Sequence, residues 1–273
     1  MKSLAFSLAV GAVLWVGCAG ARAQEYPQPN QSTAGAPQAT PLEAMQAVEN
    51  LDRWRETLVP MFMNDYGELR RYGKADEALG DPKPGEQRVV FFGDSITDIW
   101  DLNQYFPGKG YINRGISGQT TEQMLVRFRQ DVVDLHPAVV VILAGTNDIA
   151  GNTGPETIEQ IEGDFETMVE VARANRIRVV LSSLTPENGT RAEWTTYTVL
   201  RPPEEIVQLN EWLRRYCQEQ GLVYLDYYAA MVDGQGRMKP ELTADGLHPS
   251  AAGFAVMAPL AEKAVEQALR NRE

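Results

Sequence analysis

The 273-residue sequence predicts an α/β fold in which a parallel sheet of five strands is covered by helices on both faces. Short apolar runs rich in Val, Ile and Leu are typical of strands that are buried on both faces. Between these runs lie segments with apolar residues at helical spacing, and the two patterns alternate from Arg88 onward. The predicted strands are residues 89–92, 110–113, 138–144, 177–184 and 222–225.

Residues 1–23 have the features of a cleavable export signal. A basic second residue precedes an apolar stretch, and Ala21-Arg22-Ala23 is a small-x-small cleavage pattern. Cys18 leaves a lipoprotein signal open as an alternative. We therefore expect a secreted or periplasmic protein. Cleavage would leave Cys217 as its single cysteine, which rules out an internal disulfide.

Residues 24–39 and 40–87 predict two regions before the sheet. The first is rich in Gln, Pro, Ser and Ala and predicts a disordered linker. The second predicts a helical extension, with Thr40 as its N-cap and a helix that ends at Pro60, followed by a short helix over residues 61–72. No chemistry is visible in the extension, which we expect to pack around the sheet. The α/β domain is expected to cover residues 88–273.

One segment, residues 185–203, interrupts the alternation of strands and helices. It contains three prolines and lies between a predicted strand and a predicted helix. Ordered loops of this length are uncommon and are often functional. We expect this loop to form one wall of a substrate site, with Trp194 and Tyr197 as the substrate-binding residues. The alternative is a surface loop that packs on itself.

The net charge of −12 argues against two classes of partner. An acidic surface repels the phosphates of nucleic acids and the headgroups of anionic membranes. We therefore expect no nucleic-acid partner and no stable membrane insertion. The charge is compatible with a small-molecule partner.

Ser95 is the first candidate for chemistry. It lies two residues after Gly93, at the end of the first strand and at the carboxyl edge of the sheet, where open α/β folds bind their ligands. The run from Ser95 to Asp98 also fits a capping box, in which the serine would only satisfy backbone N–H groups of a helix.

His248 is the candidate base for Ser95. The chain has only two histidines, and His136 precedes a strand at the opposite edge of the sheet. Asp245 lies three residues before His248, so one turn can present both side chains. Asp226, at the end of the last strand, is a rival for the role of the acid that orients the base.

Gly118 and Asn147 are candidate donors to an oxyanion. A glycine lets a backbone N–H approach a ligand closely, and an asparagine amide can donate a hydrogen bond. Each residue taken alone is better explained as a turn residue. Their joint occurrence with Ser95, Asp245 and His248 favours a hydrolytic site.

Together these segments resemble the four sequence blocks of the SGNH (GDSL) hydrolases, in the lysophospholipase-like and platelet-activating-factor-acetylhydrolase-like branch. The resemblance implies a flavodoxin-like three-layer α/β/α sandwich. It also implies Ser95 as nucleophile, His248 as base, Asp245 as its partner, and an oxyanion hole formed by Ser95, Gly118 and Asn147. Ile96 stands where the family name has Leu. The blocks are residues 93–96, Gly118, residues 145–148 and residues 245–249.

We therefore expect a serine esterase that needs no metal and no cofactor and forms an acyl-enzyme. The predicted site consists of polar turns beside a loop of mixed character, which favours acetyl to butyryl esters. The alternatives are a carbohydrate O-acetyl esterase or acetyltransferase, a lysophospholipase-type lipid esterase, and a carbohydrate-binding module that retains only the fold.

Overall fold

A computed structural model describes residues 39–191 and 194–271. The predicted export signal and nearly all of the predicted linker lie outside these residues. The strands are β1 (Val89–Gly93), β2 (Ile112–Gly115), β3 (Val139–Leu143), β4 (Arg178–Ser182) and β5 (Val223–Leu225). The helices are α1 (Pro41–Asp65), α2 (Gly73–Leu79), α3 (Ser95–Asp98), α4 (Leu102–Tyr105), α5 (Thr121–Asp131), α6 (Thr146–Ile149), α7 (Ile158–Ala174), α8 (Thr195–Leu200), α9 (Pro203–Gln220), α10 (Tyr227–Met231) and α11 (Ala251–Arg270).

The five strands form one parallel sheet in the order β2-β1-β3-β4-β5. This is the flavodoxin-like order, and it confirms the predicted fold class. The connection from β1 runs to β2 on one side and the next connection crosses back to β3 on the other, so a crevice opens at the carboxyl ends of β1 and β3, where the strand order reverses. Ser95 follows β1 and Asn147 follows β3, so both residues lie at this crevice.

Alternate residues of each strand enter two separate apolar cores, one on each face of the sheet. On β1, Val90 and Phe92 pack with α5, α7 and α9, and Val89 and Phe91 pack with α3 and α11. Cys217 is buried in the first core, as its place in a helical stripe predicts. The sheet is thus covered on both sides, which leaves its edges and loops to form a site.

The N-terminal extension differs from the prediction at Pro60. Instead of ending there, α1 runs through Pro60 to Asp65, so the predicted helix over residues 61–72 is wrong. A proline inside a helix removes one backbone hydrogen bond, but Pro60 is exposed, and its own carbonyl accepts a hydrogen bond from Asn64 Nδ2 at 2.6 Å. Water can satisfy the carbonyl that loses its donor on such a face. A separate short helix, α2, follows.

Contacts from the extension reach the loops at the carboxyl edge of the sheet. Arg71 forms an ion pair with Asp98 at 3.2 Å, and Asp76 forms a buried one with Arg114 at 2.6 Å. The Tyr66 hydroxyl donates to Glu122 at 2.6 Å. The extension is therefore fixed beside the crevice and does not pack at random around the sheet.

The segment at residues 185–203 contains a short helix, α8, and residues 192–193 within it lie outside the described residues. Helix α8 packs against α1 across the crevice. Among the helices that the structure describes, none has the length and apolar character needed to cross a bilayer.

Candidate active site

Ser95, His248 and Asp245 form a continuous hydrogen-bonded chain. The distance from Ser95 Oγ to His248 Nε2 is 2.9 Å, and that from His248 Nδ1 to Asp245 Oδ2 is 2.7 Å. Because the carboxylate faces Nδ1, it favours the tautomer in which Nδ1 carries the proton and Nε2 accepts one from the serine. The geometry is that of a nucleophile, a base and an orienting acid.

The turn after β1 positions Ser95 as the first residue of α3. Asp94, rather than Ser95, is the N-cap, and its Oδ1 accepts from the backbone N–H of Ile96 at 3.0 Å. The reading of Ser95 as a capping residue is therefore wrong. A side chain at Gly93 would collide with the Thr97 hydroxyl and the Leu143 carbonyl, so the tight packing of this turn against β3 requires glycine. Burial raises the pKa of Asp94 to about 6.

The turn before α11 presents the acid and the base together. Asp245 Oδ1 accepts from the backbone N–H groups of Leu247 at 3.0 Å and His248 at 2.7 Å. Partial burial alone would raise the pKa of Asp245, but hydrogen bonds from the His248 ring and from these N–H groups outweigh it and lower the pKa. The rival acid, Asp226, instead caps α10 by accepting from the N–H of Ala229 at 2.9 Å.

Asn147, at the start of α6, is held on both sides of its amide. Its Nδ2 donates to the Gln119 carbonyl at 3.0 Å, and its Oδ1 accepts from Arg201 Nη2 at 3.1 Å. With Oδ1 fixed as the acceptor, one N–H of Nδ2 remains for another partner. Gly118, in a left-handed conformation with φ of 83°, and Asn147 both line the same cleft as Ser95.

Arg201 is a buried residue at this site that the sequence analysis did not identify. Besides Asn147, its guanidinium contacts the Thr146 carbonyl at 3.0 Å and Glu187 at 3.3 Å. Burial raises the pKa of Glu187 to about 8, although Arg201 opposes that rise. The sequence carries no signal for this role of Arg201. Two of its partners, Thr146 and Asn147, lie more than fifty residues earlier in the chain, and Glu187 lies at the other end of the same irregular segment.

The predicted site residues, with the exception of Trp194, line one open cleft of about 880 Å³. This volume falls in the range of small-molecule sites. The cleft has a second wall that the sequence analysis assigned to packing alone: one face of α1. Its apolar and aromatic lining outside the hydrogen-bonded machinery consists of Ala47, Leu51, Trp54, Leu58, Ile99, Tyr197, Leu200, Ala244, Leu247 and Pro249.

The two predicted substrate-binding residues have different positions. Tyr197 lines the cleft, and its ring packs edge-on to the His248 ring with centroids 6.5 Å apart. Trp194 is only 4% exposed and is absent from the lining of the cleft. Its side chain packs beneath Gly246, so closely that a Cβ on Gly246 would collide with it, and the Arg191 guanidinium covers its ring. Trp194 therefore supports the turn that carries Asp245 and His248, and its prediction as a substrate contact is wrong.

Three carboxyl groups beside α6 are close enough to share a cation. Oxygen atoms of Asp148, Glu156 and Asp164 lie within 4.8 Å of one another. Burial raises the pKa of Asp148 to about 8 and that of Glu156 to about 7. Asp148 Oδ1 accepts from the N–H of Thr121 at 2.7 Å, which gives it a structural role at the start of α5. Protonation is thus an alternative to a cation for reducing the negative charge of this group.

Comparison with known proteins supports the assignment that this geometry suggests. The sequence profile of the GDSL-like lipase/acylhydrolase family matches residues 91–256. The chain belongs to this family. The match begins within β1 and covers the other four strands, and it includes Ser95, Gly118, Asn147, Asp245 and His248. This membership places the chain among carboxylic ester hydrolases.

Individual relatives agree with this assignment. A structure from Bacteroides fragilis, named as an acylhydrolase, is 41% identical with a TM-score of 0.71, and the match covers 76% of this chain and all of that one. A Streptococcus pneumonia structure, named as a platelet activating factor, is 25% identical with a TM-score of 0.60, over 80% of this chain and 98% of that one. Both have the same fold.

Two curated relatives match part of the chain. Esterase TesA of Pseudomonas aeruginosa is 25% identical over 186 residues, which cover 61% of this chain and 81% of that protein. The uncharacterized lipoprotein YqeF of Bacillus subtilis is 32% identical over 121 residues, which cover 37% of this chain and 50% of that protein. The chain thus spans half the length of this lipoprotein.

Proposed function

We propose that this protein hydrolyses a small acyl ester through a covalent acyl-enzyme on Ser95. The observation that carries the proposal is the chain of hydrogen bonds from Ser95 Oγ through the His248 ring to Asp245, at 2.9 Å and 2.7 Å. A binding module has no need of such a chain. Ser95, His248 and Asp245 all line the cleft, so a substrate can reach the serine.

In the first step, Ser95 Oγ attacks the ester carbonyl carbon as His248 Nε2 takes the hydroxyl proton. Collapse of the tetrahedral intermediate breaks the bond to the alcohol, which receives that proton and leaves. Water then attacks the acyl-enzyme, with His248 again as base, and releases the carboxylic acid and the free serine. Asp245 holds the ring in position and stabilises its protonated form in both steps.

The proposed oxyanion donors are the N–H groups of Ser95 and Gly118 and the amide of Asn147. Ser95 lies at the N-terminus of α3, where backbone N–H groups point out of the helix. Asn147 has one N–H that its hydrogen bond to Gln119 does not use. Since each donor acts on charge that develops during the reaction, its removal should lower kcat more than it raises KM.

The range of acyl groups is the finer part of the proposal. The prediction of acetyl to butyryl esters assumed a shallow cleft made of polar turns. The cleft instead has apolar residues on α1 and α8. Short esters should still be hydrolysed, since they need only the residues around Ser95. Because the cleft is not purely polar, its chemistry gives no reason for an upper limit at butyryl.

The proposal also includes export of the protein from the cytoplasm. A signal at residues 1–23 would deliver the enzyme outside the cytoplasm, and the name of YqeF states that this relative is a lipoprotein. Mass spectrometry of the mature N-terminus in the native host decides the route. A start at Gln24 supports soluble export, and a lipid-modified start at Cys18 supports an anchored form.

The catalytic proposal is tested with p-nitrophenyl butyrate and a fluorophosphonate probe. Wild-type protein should turn over the ester and become labelled at Ser95. Ser95→Ala should do neither while keeping its melting temperature, because the serine side chain is small and the substitution leaves the backbone of the turn unchanged. Turnover by Ser95→Ala at the wild-type rate, or labelling at another residue, would contradict the mechanism.

A further inference from the structure

The wall that α1 contributes to the cleft is one continuous face of that helix. Ala47, Leu51, Trp54 and Leu58 recur at helical spacing and line the cleft together with Ser95. On the same helix, Met45 is more than half exposed, whereas Ala47 is buried.

The chemistry of this face is apolar and aromatic. Asn50 is the one polar side chain that α1 contributes to the lining, within the residues that the structure describes. The Trp54 ring lies over Gly118, with ring carbons 3.4 Å from the point where a Cβ would be, yet the residue remains 38% exposed. An indole half-open to the solvent beside an oxyanion donor can be covered by an apolar part of a ligand.

The wall is held in place by contacts on both sides of the cleft. Arg55 donates to the carbonyl of Gly151, and Asp52 pairs with Arg55 at 2.9 Å. At the end of α1, the backbone carbonyl of Tyr66 accepts from Gln123 Nε2 at 2.9 Å. The wall is therefore formed before a ligand arrives, and binding need not order it.

We propose that this face of α1 binds the apolar chain of the substrate and that the preferred substrates are esters of medium-chain fatty acids, about six to ten carbons long. The inference rests on the proposed function, since it places the ester carbonyl at Ser95. From Ala47 to Leu58 the face extends about 16 Å along the helix axis. Tyr197 and Leu200 of α8, which packs against α1, line the same cleft, so a chain along the face of α1 also meets apolar side chains of α8.

The open cleft limits how much each methylene contributes. Full burial of one methylene strengthens binding about fourfold. Octanoyl exceeds butyryl by four methylenes, and partial exposure on the open side reduces their combined effect to roughly tenfold in kcat/KM. Hexadecanoyl extends past the wall, so its additional carbons remain in water and add nothing.

The experiment measures kcat/KM of the purified protein for p-nitrophenyl acetate, butyrate, octanoate and palmitate at one pH. Leu51→Ala and Leu58→Ala remove wall side chains, and Met63→Ala is the matched control, because Met63 lies on the same helix but is 80% exposed and away from the lining. Melting temperatures are recorded for all four proteins.

The wild type should favour octanoate over acetate and butyrate, and each wall variant should lower the octanoate-to-acetate ratio about three- to tenfold. Met63→Ala should leave the ratio unchanged. A wild-type ratio below one, or wall variants that keep the wild-type ratio, would overturn the inference while leaving the esterase assignment intact. If none of the four esters were hydrolysed, the proposed function itself would be contradicted. As a second measurement, Leu58→Trp should narrow the cleft and lower octanoate turnover more than acetate turnover.

Discussion

Removal of the Arg201 guanidinium should slow catalysis through its effect on Asn147. In Arg201→Met, the side chain keeps its apolar stem and loses the hydrogen bonds to Asn147 Oδ1 at 3.1 Å and the Thr146 carbonyl at 3.0 Å. The Asn147 amide then keeps only its bond to Gln119 and can rotate away from the oxyanion. Arg201 is in this view a positioning residue.

The magnitude is bounded by the donor itself. Loss of one oxyanion donor typically costs 10²–10³ in kcat, which is therefore the expected effect of Asn147→Ala. A misoriented donor costs less than an absent one, so Arg201→Met should lower kcat by roughly 10 to 10² with little change in KM. The buried partner Glu187 has a pKa raised to about 8 even beside the guanidinium. Without that cation its carboxyl should be protonated at pH 7, which avoids a stranded charge.

A double-mutant cycle with p-nitrophenyl butyrate tests the argument. If Arg201 acts through Asn147, the combined variant Arg201→Met/Asn147→Ala should be about as slow as Asn147→Ala alone. Arg201→Lys should restore part of the lost rate, because an ammonium can reach one of the two acceptors. Multiplicative losses in the double variant, or a wild-type kcat in Arg201→Met, would refute the positioning role. Melting temperatures separate these outcomes from unfolding.

Three other predictions concern stability and the acid. Trp194→Ala should lower the stability by about 3 kcal/mol, measured by chemical denaturation, because it empties a buried site beneath Gly246; a change in acyl preference with no loss of stability would contradict this. Glu156 has a pKa raised to about 7, so between its unfolded value and pH 7 the folded protein holds an extra proton, and stability should fall as the pH rises through that range. Glu156→Gln should flatten this dependence and raise the melting temperature at pH 8, and an unchanged slope would refute the assignment. Asp245→Asn should lower kcat sharply, whereas Asp226→Asn should mainly weaken the cap of α10.

The sheet and the blocks on it were predictable because their signals are local. Val89 to Phe92 is an apolar run that can hardly be anything but a buried strand, and Gly93 marks the turn after it. His248 stands three residues after Asp245, so one turn brings the base and its acid together. A parallel sheet then brings the ends of its strands to one edge, and the site follows from the order of the blocks.

The walls of the cleft were not predictable because their contacts are not local. Nothing in the sequence around Leu51 indicates that α1 packs against α8, which lies about 140 residues later in the chain. Pro60 wrongly indicated an early end of α1. Trp194 was predicted to contact substrate, but its side chain is buried against the turn at Gly246. Arg201 finds Asn147 only after the chain has folded.

The position of α1 has a consequence for how selectivity could evolve in this family. The matched family region begins at residue 91, whereas a cleft wall lies on a helix that ends at residue 65. One wall of the cleft is therefore encoded outside the stretch that carries the catalytic residues. Substitutions on the inner face of α1 can change which esters fit without altering any residue that takes part in bond breaking, and two relatives with the same catalytic blocks need not share a substrate.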